Sequence, residues 1–136
     1  MNREDIAIAK RNRGYNCAQS VACTYSEDFG LSEAEMFRIT EGLGTGLGCT
    51  YGTCGALAAA CILCGMKKSS VNLEKPDSKA STYIVTRQIV KDFREQAGAV
   101  ACRDIKGIET GKVLCECADC VRIACRLVEK YVEDDV

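Results

Sequence analysis

The spacing of apolar residues predicts a chain built from helices. Apolar positions recur with the helical period along most of the sequence, and glycines or polar turns separate one run from the next. The predicted helices cover residues 3–13, 16–28, 32–40, 53–65, 77–97 and 113–133. Short connections between helices favour antiparallel neighbours. We therefore expect an all-α fold, a single-domain bundle of four or five main helices with a glycine-rich loop.

Two of these helices carry specific predictions about burial. A Ser-x-x-Glu capping box opens the helix at residues 32–40, which should bury Met36 and Ile39. The longest helix, Asp77–Ala97, should end at Gly98. Its predicted buried side consists of Tyr83, Ile84, Ile89, Val90 and Phe93.

A glycine-rich loop, residues 42–52, precedes the most apolar helix. Its alternating glycines argue against a strand, and without a strand before it the loop does not fit a dinucleotide-binding motif. Thr53 is predicted to cap the next helix, which should end at Gly65. That helix is apolar almost all round, so we expect it to be buried at the centre of the bundle.

Length and charge favour one domain, residues 1–136, without a special affinity for polyanions. Eighteen basic and 19 acidic residues give a net charge of −1. The charged N-terminus lacks the apolar core of a secretory signal. The longest apolar run, Ala56–Leu63, is far below the roughly 20 residues that a membrane span requires. We expect a cytoplasmic protein that binds neither nucleic acid nor membrane.

Cysteine changes this picture, because 11 of the 136 residues are cysteine. The count is odd and the cytosol is reducing, so metal or redox chemistry explains it better than a disulfide framework. The chain has no histidine, which excludes cysteine–histidine catalysis and mixed zinc ligation. A metal site must then be built from thiolates, which suits an iron–sulfur cluster or zinc.

Four cysteines fall at the starts of different helical segments. They are Cys17, Cys54, Cys102 and Cys117. Unpaired N–H groups and the helix dipole favour a thiolate at such positions, and the signal is sharpest at Cys54 because the glycine loop leads into it. Four helix starts that converge on one point would hold a thiolate-ligated cluster and offset its negative charge.

The remaining cysteines are weaker candidates. Cys61 and Cys64 form a C-x-x-C near the end of their helix, where a ligand role and simple core packing are equally good explanations. Cys23 and Cys125 are interpreted as core residues. The secondary ligand candidates are Cys49, Cys61, Cys64, Cys115 and Cys120.

The sequence resembles the family of redox-active proteins that is named for its C_GCAxxG_C_C cysteine pattern. The resemblance covers most of the chain. It rests on Gly14–Gln19, the glycine run into Thr53–Ala56, the segment Phe93–Cys102, and Cys117 followed by Val121–Ala124.

The resemblance implies redox activity, with the four shared cysteines as ligands of an iron–sulfur cluster or as cycling thiols. The chain departs from the pattern at Ala59, which stands where the last glycine of C-G-A-x-x-G is expected. One extra methyl group at a helix contact leaves the cysteine roles intact. The cysteines beyond the four shared ones could support a second or a larger cluster.

Three hypotheses follow. In the first, the protein holds an iron–sulfur cluster through the four helix-start cysteines and exchanges electrons with an oxidoreductase partner. In the second, Cys54 is a reactive thiol that Cys49, Cys61 or Cys102 resolves. In the third, Cys61 and Cys64 join Cys117 and Cys120 in a structural zinc site. Whether the protein is itself an enzyme and whether it forms a homodimer stay open.

Overall fold

The computed structural model describes residues 2–133, and helices are the only regular elements in that part of the chain. Seven helices follow one another: α1 (Arg3–Asn12), α2 (Cys17–Tyr25), α3 (Glu33–Thr40), α4 (Gly55–Lys68), α5 (Lys79–Ala97), α6 (Cys102–Lys106) and α7 (Cys117–Tyr131). Short 3₁₀ turns occupy Ser26–Phe29 and Glu41–Leu43. Within residues 2–133, extended backbone pairs only at an isolated antiparallel bridge between Thr53 and Ala101. The all-α prediction is confirmed.

The number of helices is higher than the four or five main helices that the sequence predicts. Residues 2–133 contain seven, because the short segments α3 and α6 are separate helices with their own ends. The Ser32 side chain caps α3 by accepting a hydrogen bond from the Glu35 N–H at 3.1 Å. Helix α6 ends at Gly107, whose left-handed backbone (φ 70°) stops it after five residues.

Three predicted boundaries also move. Helix α7 starts at Cys117 instead of residue 113, because its N-cap Glu116 is extended (φ −70°, ψ 150°). Helix α4 continues past Gly65 to Lys68, since Gly65 keeps a helical conformation. The N-cap of α4 is Cys54 and not Thr53, which lies in the bridge to the segment before α6.

Helix α4 is the centre of the bundle, as its composition predicts. It packs against α2, α5 and α7. Its buried positions are mostly small residues, and alanine and glycine let neighbouring helices come close. The buried residues of α4 are Gly55, Ala56, Leu57, Ala59, Ala60, Leu63 and Cys64.

Three predicted core residues are exposed. Ile39 is 52% exposed, Tyr83 52% and Ile84 54%. The buried residues of α5 are Ile89, Phe93 and Ala97, all in its second half. At about 100° per residue, Ile84 lies on the opposite face of the helix from Phe93. The prediction therefore identified Ile89 and Phe93 correctly but made the buried face too wide.

The glycine loop folds back on itself and accepts backbone hydrogen bonds from the start of α6. Several of its residues have left-handed backbone, including Thr45 (φ 54°) and Gly46 (φ 59°), so the segment is a compact turn and not a continuous helix. The Gly52 carbonyl accepts a hydrogen bond from the Cys102 N–H at 2.9 Å, and the Thr50 carbonyl accepts one from the Arg103 N–H at 2.9 Å. The loop thus positions Cys102 directly.

Candidate functional site

A single cavity collects six of the cysteines. It has a volume of about 350 Å³ and lies where the first turns of several helices meet. Its lining combines these thiols with two cationic side chains, and no aspartate or glutamate among residues 2–133 belongs to that lining. The six cysteines are Cys17, Cys54, Cys102, Cys115, Cys117 and Cys120. We call this cavity the thiol cavity.

Four of the six thiols belong to four different helix starts. Cys17 is the first residue of α2, Cys102 the first of α6 and Cys117 the first of α7. Cys54 is the N-cap residue of α4. Because a helix N-terminus carries unpaired N–H groups and the positive end of the dipole, this geometry favours negative charge inside the thiol cavity.

A reciprocal cap fixes the start of α2 and with it Cys17. The Asn16 side chain accepts a hydrogen bond from the Gln19 N–H at 2.9 Å, while the Gln19 side chain accepts one from the Asn16 N–H at 2.9 Å. Asn16 also donates to the Glu41 carbonyl at 3.0 Å. This residue therefore holds the Cys17 turn against the beginning of the glycine loop.

Two glycines allow the chain to come close to the thiols. A Cβ atom at Gly55 would lie 2.6 Å from the Cys17 sulfur, and one at Gly46 would lie 2.5 Å from Cys102 Cβ. Gly46 also has a left-handed backbone, which a side chain disfavours. Gly46 and Gly55, on either side of Cys54 in the sequence, are thus required by close approach to cysteines.

Cys54 and Cys120 form one thiol pair in the cavity. The hydrogen bond from Cys120 is the main cause that lowers the pKa of Cys54 to about 7, with further help from the N–H groups of Leu57 and Ala56 and opposition from burial. The same interaction, together with burial, raises the pKa of Cys120. Cys54 is therefore the thiolate of this pair.

Cys17 and Cys117 form a second pair, next to a cation from α1. The hydrogen bond from Cys17 is the largest cause that lowers the pKa of Cys117 to about 5, and the hydrogen bond and charge of Arg11 lower it further. The pKa of Cys17 is raised because its proton bonds to Cys117 and because it is buried. In this pair Cys117 is the thiolate.

The other two cavity thiols favour the protonated form when nothing is bound. Burial raises the pKa of Cys102, against the nearby charge of Lys106. Burial also raises the pKa of Cys115, which lies beside Cys120. The thiol cavity therefore favours the thiolate form at Cys117 and, less strongly, at Cys54, and it holds four further thiols that a cationic ligand could deprotonate.

Five cysteines lie away from the thiol cavity. Cys49 is exposed on the glycine loop, with its thiol 3.7 Å from the Gly46 carbonyl. Cys61 lines a separate groove on the other side of α4, and Cys64 is fully buried in that helix. Cys23 and Cys125 are buried in the core. The zinc hypothesis, which joins Cys61 and Cys64 to Cys117 and Cys120, therefore gains no support from the geometry.

The thiols contact one another as the structure stands. Within residues 2–133, no three side chains of the metal-binding types are close enough together to hold a metal ion. Cys17 is paired with Cys117, and Cys54 with Cys120. The donor set itself, thiolates beside helix N-termini and cations, fits an iron–sulfur cluster.

Comparison with known proteins agrees with the cysteine geometry. Residues 15–131 match the family described as "Putative redox-active protein (C_GCAxxG_C_C)". The chain belongs to this family. The C_GCAxxG_C_C match includes all six cysteines of the thiol cavity. No curated protein and no solved structure shows a significant match.

Two cationic residues of the site were not predicted from the sequence. Arg11 in α1 and Lys106 at the end of α6 both line the thiol cavity. Arg11 precedes the segment matched to the C_GCAxxG_C_C family. On a helix with many charges, such residues look like ordinary solvent-facing positions. Only the contact of α1 with α2 and α7 brings Arg11 to Cys117.

Among residues 2–133, none of the helices is both long and apolar enough to cross a bilayer.

Proposed function

We propose that this protein is a small redox protein whose thiol cavity holds an iron–sulfur cluster. Cys17, Cys54, Cys102 and Cys117 are the proposed ligands, and the protein would exchange electrons with an oxidoreductase partner. The observation that carries the proposal is the convergence of four cysteine-bearing helix starts on one cavity. Two cations line this cavity, and none of the acidic side chains of residues 2–133 does.

The chain's own residues provide what an anionic cluster needs. Thiolate ligands and bridging sulfides make such clusters negative, so N–H groups at the helix starts, Arg11 and Lys106 would stabilise the charge. Cys54 and Cys102 are 7% and 6% exposed, so these two ligands are shielded from water. When bound, an iron–sulfur cluster supplies a reversible electron couple.

The other two proposed ligands are less deeply buried. Cys17 and Cys117 are only partly buried, so an electron would have a short path between the thiol cavity and a docked partner. Eleven cysteines without disulfides suit a reducing compartment, and we place the protein in the cytoplasm.

Anaerobic purification tests this proposal. We expect a coloured protein with visible absorbance from sulfur-to-iron charge transfer, an EPR signal in one redox state, and iron and acid-labile sulfide in similar amounts. A colourless protein without iron and sulfide, both as purified and after anaerobic reconstitution, would refute it.

The thiol pairs favour a second candidate function, thiol–disulfide exchange. The interaction of Cys120 with Cys54 makes Cys120 a further candidate for the resolving thiol, beside Cys49, Cys61 and Cys102. Oxidation would join the two sulfurs and pass two electrons and two protons to an acceptor such as a partner disulfide. This function predicts a colourless protein that loses two free thiols on mild oxidation. Cys120→Ser should prevent that loss, whereas Cys61→Ser should not.

A further inference from the structure

Two cysteines in the thiol cavity are left over once the four helix-start ligands are assigned. Cys115 lies in the extended segment before α7, and Cys120 lies in the first turns of that helix. Both line the same cavity as the other four. A cluster of four irons takes one thiolate at each iron, so it leaves two of six thiols unused.

The six thiols divide into two neighbouring groups. Cys115 interacts with Cys120, and Cys120 interacts with Cys54, so these three line one part of the cavity. Cys17 and Cys117 interact with each other in a second group. Cys102 lies close enough to Cys54 and Cys117, one from each group, to interact electrostatically with both.

Core packing does not explain Cys115 and Cys120 as well as it explains other cysteines. Cys64 is fully buried inside α4, and Cys125 lies beside Tyr25 in the core. Neither of these lines the thiol cavity. Cys120 is equally buried but has its sulfur against another cavity thiol, and Cys115 is partly exposed at the cavity.

We propose that Cys115 and Cys120 are ligands as well, so that the thiol cavity binds iron and sulfide through six thiolates and holds more than four irons per chain. This inference rests on the proposed function. The lining offsets part of the extra negative charge of a larger cluster, or of two adjacent clusters, because Arg11 and Lys106 contribute two positive charges. The carboxylates of Asp119 and Glu116, outside the lining, lie close enough to act on Cys115 in the opposite sense.

Iron and sulfide analysis of the full chain, reconstituted anaerobically with ferrous iron and sulfide, tests the inference. Wild type should bind more than four irons, and the double variant Cys115→Ser/Cys120→Ser should lose about half of them. Cys49→Ser and Cys61→Ser change thiols outside the thiol cavity and should keep the full content.

A second measurement does not depend on whether the double variant folds. Cys115 and Cys61 are both partly buried, but only Cys115 lines the thiol cavity. Iodoacetamide labelling followed by mass spectrometry should modify both in the metal-free wild type. In the loaded wild type, Cys115 should be protected and Cys61 labelled as before.

The possible results separate this inference from the proposed function. Four irons or fewer in the loaded wild type, unchanged iron in a folded double variant, or labelling of Cys115 in the loaded protein would overturn the six-ligand site while the cluster function stands. A protein that takes up no iron and sulfide at all would overturn both.

Discussion

The two ends of helix α4 carry cysteines of opposite character. At the N-terminal end, the Cys120 hydrogen bond lowers the pKa of Cys54 to about 7. In the middle of the helix, burial raises the pKa of Cys61 to about 11. Burial likewise raises the pKa of Cys64, a fully buried residue. One helix thus holds a thiolate at its start and two protonated thiols further along.

Free N–H groups at one place and burial at the other account for the difference. The start of α4 offers free N–H groups and faces other helix starts, whereas burial raises the pKa of Cys61, in the middle of the helix, and of Cys64, one turn later. Cys61 and Cys64 have the more familiar redox spacing, C-x-x-C, yet they lack the free N–H groups of a helix start. For a cysteine in a helical protein, the position along the helix therefore says more about its chemistry than a short motif does.

The two glycines of α4 also differ in how closely other parts of the chain approach them. Gly55 at the start of α4 lies so close to Cys17 that a Cβ atom would be 2.6 Å from its sulfur. A Cβ atom at Gly65, ten residues later in the same helix, would meet nothing within 4 Å. The N-terminal glycine is required by the thiol cavity, and the other is not.

The largest expected effect comes from replacing one cysteine at each end of α4. Cys54→Ser should reduce iron and sulfide content at least about tenfold, because changes to residues that merely support ligands already weaken metal binding by about that factor. Cys64→Ser should leave the content unchanged and cost about 1–3 kcal/mol of unfolding free energy, since it buries an unpaired hydroxyl group. Metal analysis and chemical denaturation measure the two quantities. Equal iron loss in both variants would contradict the assignment of Cys54, but not Cys64, as a ligand.

Alkylation of the metal-free protein compares two partly buried thiols directly. The pKa of Cys117 is lowered to about 5 and that of Cys61 is raised to about 11, so at pH 7 Cys117 is a thiolate and Cys61 is not. Cys117 should react roughly tenfold faster, after allowance for the weaker nucleophilicity of a low-pKa thiolate. Lowering the pH to 6 should slow Cys61 but not Cys117. Peptide mapping after short iodoacetamide exposure measures both rates, and parallel pH dependence would contradict the assigned ionisation.

The two glycines of α4 should respond to alanine in opposite directions. Gly55→Ala pushes a methyl group into Cys17 and the Leu43 carbonyl, which should destabilise the fold by about 1–3 kcal/mol and lower iron content. Gly65→Ala adds a methyl group in open space inside a helix and should stabilise it by about 0.5–1 kcal/mol. Urea denaturation curves of the two variants decide the point. A stabilised Gly55→Ala protein with full iron content would show that the close approach to Cys17 is unimportant.

The smallest effect concerns the cation beside Cys117. Arg11→Gln removes a hydrogen bond and a charge at the thiol cavity, so the reduction potential of the loaded protein should become more negative. Arg13→Gln makes the same charge change at an exposed residue that contacts Tyr15, and it should shift the potential less. Potentiometric titrations of both variants against wild type measure the shifts. Equal shifts would mean that only the overall charge matters.

Sequence patterns predicted the helices well because apolar periodicity reflects burial. They predicted less well at Tyr83 and Ile84, which are exposed although both are apolar. Ile84 lies on the opposite face of α5 from Phe93, so its hydrophobicity alone was misleading. The placement of Cys54 could be anticipated, because a glycine run and a helix start are both local features. The approach of Arg11 could not, because it depends on how α1 crosses the bundle and leaves no local signal.

The cavity partners among the cysteines are likewise a tertiary result. Cys120 is three residues after Cys117, and the sequence made it a secondary candidate without indicating its neighbour. Only the packing of α4 against α7 brings Cys120 to Cys54. The same packing leaves Cys61 and Cys64 away from the thiol cavity, although they and Cys120 are all secondary ligand candidates by sequence.

A reductive titration of the anaerobically purified protein, followed in the visible range and by EPR, tests the central claim most directly. If the thiol cavity holds an iron–sulfur cluster, the visible absorbance should bleach reversibly as electrons are added, and free thiols should stay constant. Cys64→Ser should titrate like wild type, and Cys54→Ser should lack the bleaching. A colourless protein that takes up two electrons per chain while two free thiols appear would contradict the cluster and show that a disulfide is the redox group.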